Sequence, residues 1–350
     1  MKKPNLRHAA IAIGVMLMTV FIGSCDDPNE PDLPLRPYTQ AAVYPTAGLA
    51  KHVAAAGDIV AVAAGVAGAT VMNMSHPSRP DTIFHWGNIG LGGRCTNVTL
   101  DTIHHYIAVR APGEPNWGPF PIFDYSKDSV SLASFIRSAG GNGPYGDLEV
   151  EPRQDTIFYW GTDTNDNRLT VSGMCRTNSS DTARWNDCPA VETVYQPYYG
   201  TVAGFGRRSD NIFAIAVGEY GVHLHDAEQR IALADFYTPG LAQDCAWYGN
   251  YVIVVDRFHV TIVDASVLTA PRIAATLDIP GADRLFKVLV DGDYACVLDE
   301  YDGIYVVNIS DPLQPKMVQL LSLPEPSFIA ASNHKLYATD EAQGLVVYVR

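Results

Sequence analysis

A strand-rich unit recurs about every forty residues along the C-terminal half of the chain. Asn250 to Gly281 reads NYVIVVDRFHVTIVDASVLTAPRIAATLDIPG, and Asp293 to Pro324 reads DYACVLDEYDGIYVVNISDPLQPKMVQLLSLP. Each runs from a turn into an apolar strand ending in Asp, then a short acidic-aromatic turn. A second strand ending in Asp or Asn, a Pro-containing loop and a third strand follow. One such unit cannot bury both faces of its strands alone, so stacked copies must complete one another's core. A period of this length with several short strands per copy is the pattern of a β-propeller blade.

The stretches Tyr251-Val-Ile-Val-Val-Asp256, Val260-Thr-Ile-Val-Asp264 and Gly303-Ile-Tyr-Val-Val-Asn-Ile-Ser-Asp-Pro312 resemble the LVIVD-repeat family of bacterial propeller-like proteins. Weaker copies lie at Asn211–Val217 with Gly221–Asp226, and at Asp58–Ala64 with Val71–Pro77. The likeness is good from about Gly200 onward and degraded between Leu91 and Pro197. It implies a bladed fold and an extracytoplasmic setting, and no catalytic residues.

Turns at Asp58, Asp101, Asp155, Asp210-Asn211, Asn250, Asp293 and Asn333 mark seven units, with six or eight blades as alternatives because the second and third units are irregular. The seventh begins near Ser327 and lacks an outer strand, which Thr39-Gln-Ala-Ala-Val-Tyr44 can supply. That closure leaves no free sheet edge. The expected fold is all-β: a seven-bladed propeller of four-stranded antiparallel blades over 39–350, closed by an N-terminal strand.

The first residues read as a leader. Lys2, Lys3 and Arg7 precede an apolar run from Ala9 to Ile22, too short to read as a transmembrane helix. Ile22-Gly-Ser-Cys25 resembles a bacterial lipobox, which makes 1–24 a lipoprotein signal peptide and Cys25 the lipidated residue; the alternative is a plain secretory signal cleaved elsewhere. The acidic, Pro-rich segment 25–38 is the expected tether. The expected location is the outer membrane or cell surface of a bacterium. Subtracting Lys2, Lys3 and Arg7 from 24 basic residues leaves 21 against 38 acidic, a net charge of −17. That balance disfavours nucleic acid and anionic headgroups and admits cations or basic protein surfaces. Cys175 and Cys188 flank a polar insertion, and a disulfide closing a loop of that size contributes roughly 3 kcal/mol. Cys245 and Cys296 read as buried free thiols, and Cys95 as packed in an inner strand.

Turns between the second and third strands of a blade all emerge on one ring face. Gly218-Glu-Tyr-Gly221, Asp256-Arg-Phe-His259, Asp299-Glu-Tyr-Asp302 and Asp340-Glu-Ala-Gln343 align as such turns, and the second unit offers Trp117. The candidate rim site is therefore Trp117, Glu219, Tyr220, Asp256, Phe258, Asp299, Glu300, Tyr301 and Asp340, suited to a protein, a basic or aromatic peptide, or a glycan. The competing reading has each aromatic wedged between blades and each Asp closing its own turn. Asp163, Asn165 and Asn167 reproduce the opening ligands of a calcium loop, although Arg168 and Met174 stand where Gly and Glu are needed. No other cofactor is indicated. His223 and His225 share a strand face and lack an assignable third metal ligand. The zinc-protease, nucleophile-elbow, phosphate-loop and CxxC motifs are all missing. The expected function is a lipid-anchored, non-catalytic binding module; the alternative is a propeller hydrolase or lyase acting through acids at the central channel.

Overall fold

The computed structural model describes residues 37–87, 94–110, 120–126, 131–136, 148–153, 156–163, 167–176, 185–187 and 192–350, all within the unit Arg36–Arg350. Every regular element among them is a β-strand, and the strands form seven antiparallel sheets.

Strand β1 spans Thr39–Tyr44. Blade 1 holds β2–β5 (His52–Ala56, Ile59–Ala63, Ala69–Asn73, Asp81–Trp86), and blade 2 holds β6–β9 (Asn97–Asp101, Tyr106–Arg110, Phe120–Asp124, Ser131–Ile136). Blade 3 holds β10–β14 (Leu148–Arg153, Thr156–Asp163, Arg168–Arg176, Trp185–Asp187, Glu192–Tyr195). Blades 4 and 5 hold β15–β18 (Gly204–Arg207, Ile212–Ala216, Val222–Asp226, Ile231–Phe236) and β19–β22 (Asp244–Tyr248, Tyr251–Val255, His259–Asp264, Arg272–Asp278). Blade 6 holds β23–β26 (Leu285–Asp291, Tyr294–Asp299, Gly303–Asn308, Lys316–Ser322). Blade 7 joins β27–β29 (Pro326–Ser332, Lys335–Asp340, Gly344–Val349) to β1, in the order β1-β29-β28-β27. The seven-blade count and the N-terminal closing strand both match the sequence expectation. Blade 3 departs from the four-strand pattern: two short segments, β13 and β14, share its outer position against β12.

Second and third strands are buried on both faces, which is why they read as unbroken apolar runs such as Ile212-Phe-Ala-Ile-Ala216. Outer strands such as β22 carry only exposed and half-buried residues. Seven apolar clusters result, one at each blade–blade junction, and this closes the ring. The junction of blades 3 and 4 adds Arg207, which pairs with Glu149 (3.5 Å) and Glu151 (3.0 Å) across the first strands.

One backbone device repeats. The first residue of the third strand in blades 6 and 7 is Gly303 or Gly344, and Gly221 immediately precedes that strand in blade 4; their φ angles are 119°, 98° and 76°. A Cβ at Gly221, Gly303 or Gly344 would lie 2.2, 2.1 or 2.2 Å from the carbonyl oxygen of Phe236, Leu321 or Tyr44 on the outer strand, so only glycine lets the two strands approach.

Antiparallel order places the second-to-third-strand turns and the blade-to-blade loops on one face, here the upper. The first-to-second-strand turns lie on the lower face. Strand β1 runs from lower to upper, because Thr39 pairs with Val349 and Tyr44 with Leu345. The chain therefore enters the ring from below. Tyr38 locks it there: it is buried, its hydroxyl donates to Asp291 Oδ2 (2.6 Å), and its backbone exchanges two bonds with the Gln319 amide. Arg350 holds the same Asp291 (3.0 Å), so Tyr38 and Arg350 meet on one carboxylate.

Cys245 and Cys296 are buried thiols, as expected. Cys95 is a buried thiol too but precedes β6, bridging to Gly65 rather than packing within the strand. Cys25, the leader, most of the tether, Cys188 and the side chain of Cys175 lie outside the described residues.

Candidate functional site

The upper-face turns divide their labour between acids and rings. Asp299 is fully buried at the end of β24. Its Oδ1 accepts the backbone N–H groups of Tyr301 and Asp302 (2.9 and 3.1 Å), closing its own turn. Its Oδ2 accepts those of Asp283 and Arg284 (3.1 and 2.8 Å), holding the loop that arrives from blade 5. Asp340 does the same through Ala342, Gln343 and Glu325. Asp256 binds the His259 N–H and ring together with the Gly240 N–H. These three carboxylates are clips between a turn and the preceding loop, and their oxygens face inward. Asn167, in the turn of blade 3, holds instead the loop that leaves for blade 4: its amide nitrogen donates to the Gly200 carbonyl and its oxygen accepts from Val202 (2.7 Å). Of the calcium candidates, Asn165 and the Asp163 side chain lie outside the described residues, as does Trp117.

Blade 4 shifts the alignment drawn from sequence. Val217, not Gly218, occupies the Asp position: its N–H bonds the Gly221 carbonyl (2.8 Å), as Asp256 N–H bonds that of His259 (3.2 Å). Gly218 and Arg257 then make matching bridges to Ala242 and Leu285 in the next loop. Gly at 218 looked equivalent to Asp because both mark the turn.

The aromatics do not wedge between blades. Tyr220, Phe258 and Tyr301 are 38%, 50% and 60% exposed on blades 4, 5 and 6. Glu219 is exposed beside Tyr220, whereas Glu300 is half-buried and paired with Arg284 (2.7 Å). Neighbouring loops extend the arc with residues the sequence reading passed over: Tyr198, Tyr199, Tyr237 and Leu241, all exposed. Tyr198 meets Tyr199 edge-on at 4.7 Å, and Tyr199 lies nearly parallel to Tyr220 at 6.0 Å. The missed signal was the Tyr-Tyr-Gly run just before blade 4.

The first strands tell a different story. Asp244 pairs with Lys287 (3.1 Å), whose ammonium lies 5.1 Å from the Phe328 ring centre, and His52 stacks on that same ring at 3.7 Å. These four come from blades 5, 6, 7 and 1. His52 is fully enclosed, and desolvation, reinforced by Lys287, drives its pKa down to about 3. Asp101 contacts His104 (2.7 Å), Glu149 and Glu151 contact Arg207, and Asp291 contacts Arg350. Every carboxylate on the described first strands is thus matched to a basic side chain. His223 stacks on Tyr195 at 4.1 Å and contacts Asp235 (2.6 Å), His225 lies tilted to Tyr195 at 6.2 Å, and no group of three metal-ligating residues occurs among the described residues.

The LVIVD repeat model matches residues 239–278 and 286–320, which are blades 5 and 6. No curated protein matches the sequence. Among solved structures, the computationally designed Ika8 protein shares 10% identity at a TM-score of 0.60, covering 89% of this chain and 100% of its own. BamB from Moraxella catarrhalis shares 11% identity at 0.57, covering 91% and 95%. A chain of the mitotic checkpoint complex shares 13% at 0.61, covering 99% of each. At such identities the likeness carries the fold alone. The chain thus carries LVIVD repeats in blades 5 and 6 of a seven-bladed β-propeller.

Proposed function

We propose that the protein is a lipid-anchored, non-catalytic interaction module of the bacterial outer membrane or cell surface, and that its upper face binds a protein partner. The observation that carries this reading is the arc of exposed aromatics on blades 4 to 6, set on the face opposite the one by which the chain enters the ring. Large rings left in water by a folded monomer are characteristic of interaction surfaces, and Tyr is prominent among residues that dominate them. The propeller fold is a platform that commonly serves such binding. The matched acids of the first strands also favour binding over acid–base chemistry, which needs carboxylates in contrasting environments. The anchor reading rests on Ile22-Gly-Ser-Cys25 and the acidic tether behind it.

The test is photo-crosslinking in the native bacterium from a benzophenone amino acid at position 258 or 301. A discrete adduct from these positions, and none from position 250 on the lower face, is expected. Adducts only from the lower face, or none at all, overturn the reading.

A further inference from the structure

The chain builds one small motif internally more than once: an arginine laid over an aromatic ring and tied to a carboxylate. Arg208 sits 4.6 Å over Trp247 and binds Asp210 (2.8 Å). Arg153 sits 4.9 Å over Phe158 and binds Glu151 (2.8 Å). On the upper face, three adjoining loops (196–203, 217–221 and 236–243) supply the ring and the carboxylate without the cation. Their only charged residue is Glu219, and they contain no Lys, Arg or His. Tyr198, Tyr199, Tyr220 and Tyr237 are 90%, 64%, 38% and 70% exposed.

These rings are held in place. Gly200, at φ 83°, leaves the space in which Tyr220 lies, since a Cβ there would come 2.6 Å from its ring. Asn167 fixes the same loop through Gly200 and Val202. Tyr199 and Tyr220 are only 20° from parallel, Glu219 directly precedes Tyr220, and Gly221 packs on the backbone of Tyr237, whose Cα lies 2.8 Å from a Cβ built there. Ring faces carry negative quadrupolar potential, so a flat, weakly hydrated cation gains by stacking on them. A guanidinium does this better than an ammonium, and it can also bind the carboxylate through its fork of N–H groups.

We propose that Tyr198, Tyr199, Tyr220 and Tyr237 with Glu219 form a seat for an arginine side chain of a basic segment on the partner protein. This rests on the protein-binding reading of the upper face and narrows it to one partner chemistry. The chain's net charge of −14 favours approach of such a segment.

The full chain is titrated calorimetrically with the acetylated, amidated peptides tetra-arginine, tetra-lysine and tetra-glutamate at about 50 and 150 mM NaCl, concentrations between which charge screening changes. Saturable binding of tetra-arginine, several-fold tighter than tetra-lysine and absent for tetra-glutamate, is expected. Glu219→Gln and the double variant Tyr199→Ala/Tyr220→Ala should each weaken it about tenfold. All three positions are exposed or half-exposed, and unchanged thermal melts verify folding. Absence of saturable tetra-arginine binding, equal affinity for tetra-lysine, or unaltered affinity in the variants overturns the proposal. So does loss in the variants of self-association by sedimentation, or of binding to phosphatidylcholine vesicles, without an effect on tetra-arginine: the surface would then serve a second copy or a bilayer. A crosslinked partner at position 258 or 301 alongside no tetra-arginine binding sinks this inference and leaves the protein-binding reading standing.

Discussion

Asp299 is itself wholly out of water and accepts four backbone N–H groups from two chain segments, so replacing it leaves all four without their acceptor. Asp299→Ala should cost about 3 kcal/mol or more, and Asp299→Asn, which keeps one acceptor oxygen, about half as much. Urea denaturation midpoints measure both. Equal and small losses would mean that water satisfies the turn. His52 makes a complementary prediction in pH. Its ordinary pKa of 6.5 falls to about 3 in the folded protein, so the unfolded chain binds the proton first. The stability that neutral His52 permits is present above pH 6.5 and is lost as pH falls below that value toward 3. Between about pH 7 and pH 5 the loss is about 2 kcal/mol. His52→Phe should remove that share of the acid slope, read as the difference between the two stability-versus-pH curves; parallel curves would contradict it. The repeated Asp was legible in the sequence as a pattern. Its role was not, because clip and ligand use the same residue type and only the direction of the oxygens separates them.

The blades show how far periodicity carries. Strand number, blade number and the N-terminal closing strand follow from turn spacing and from counting three strands where four are needed. Blade 3 resists because two short outer segments take the place of one, and no period announces that. Tyr38 was hidden for a different reason. It sits at the edge of a Pro-rich tether, while Asp291 and Gln319 lie more than 250 residues away in sequence. Yet it ties the segment leading into β1 to blade 6, while β1 itself pairs within blade 7. Tyr38→Phe removes one buried hydrogen bond to a carboxylate that Arg350 still partly neutralises, so a loss of about 1.5–3 kcal/mol is expected. Arg350→Ala in the same background should cost more than it does alone, since Asp291 then loses both of these partners. A double-mutant cycle on thermal stability checks this, and strict additivity would show two independent contacts.

At the scale of the whole ring, the lower face receives the chain at Tyr38, and the upper face carries the aromatic arc. On the proposed anchoring through Cys25, a short tether is expected to turn the arc away from the bilayer. The twelve residues 26–37 span at most about 40 Å when fully extended. Deleting 27–34 leaves a span of about 13 Å, which brings the lower face against the headgroups. In lipid-anchored protein on vesicles, maleimide labelling of Asn250→Cys on the lower face should then slow several-fold relative to the full-length tether, measured above the parent chain. Labelling of Tyr301→Cys should be unchanged. Slowing at position 301 instead would mean that the arc itself faces the membrane. That result would overturn both the orientation and the protein-binding reading, because rings seated among headgroups are unavailable to a partner.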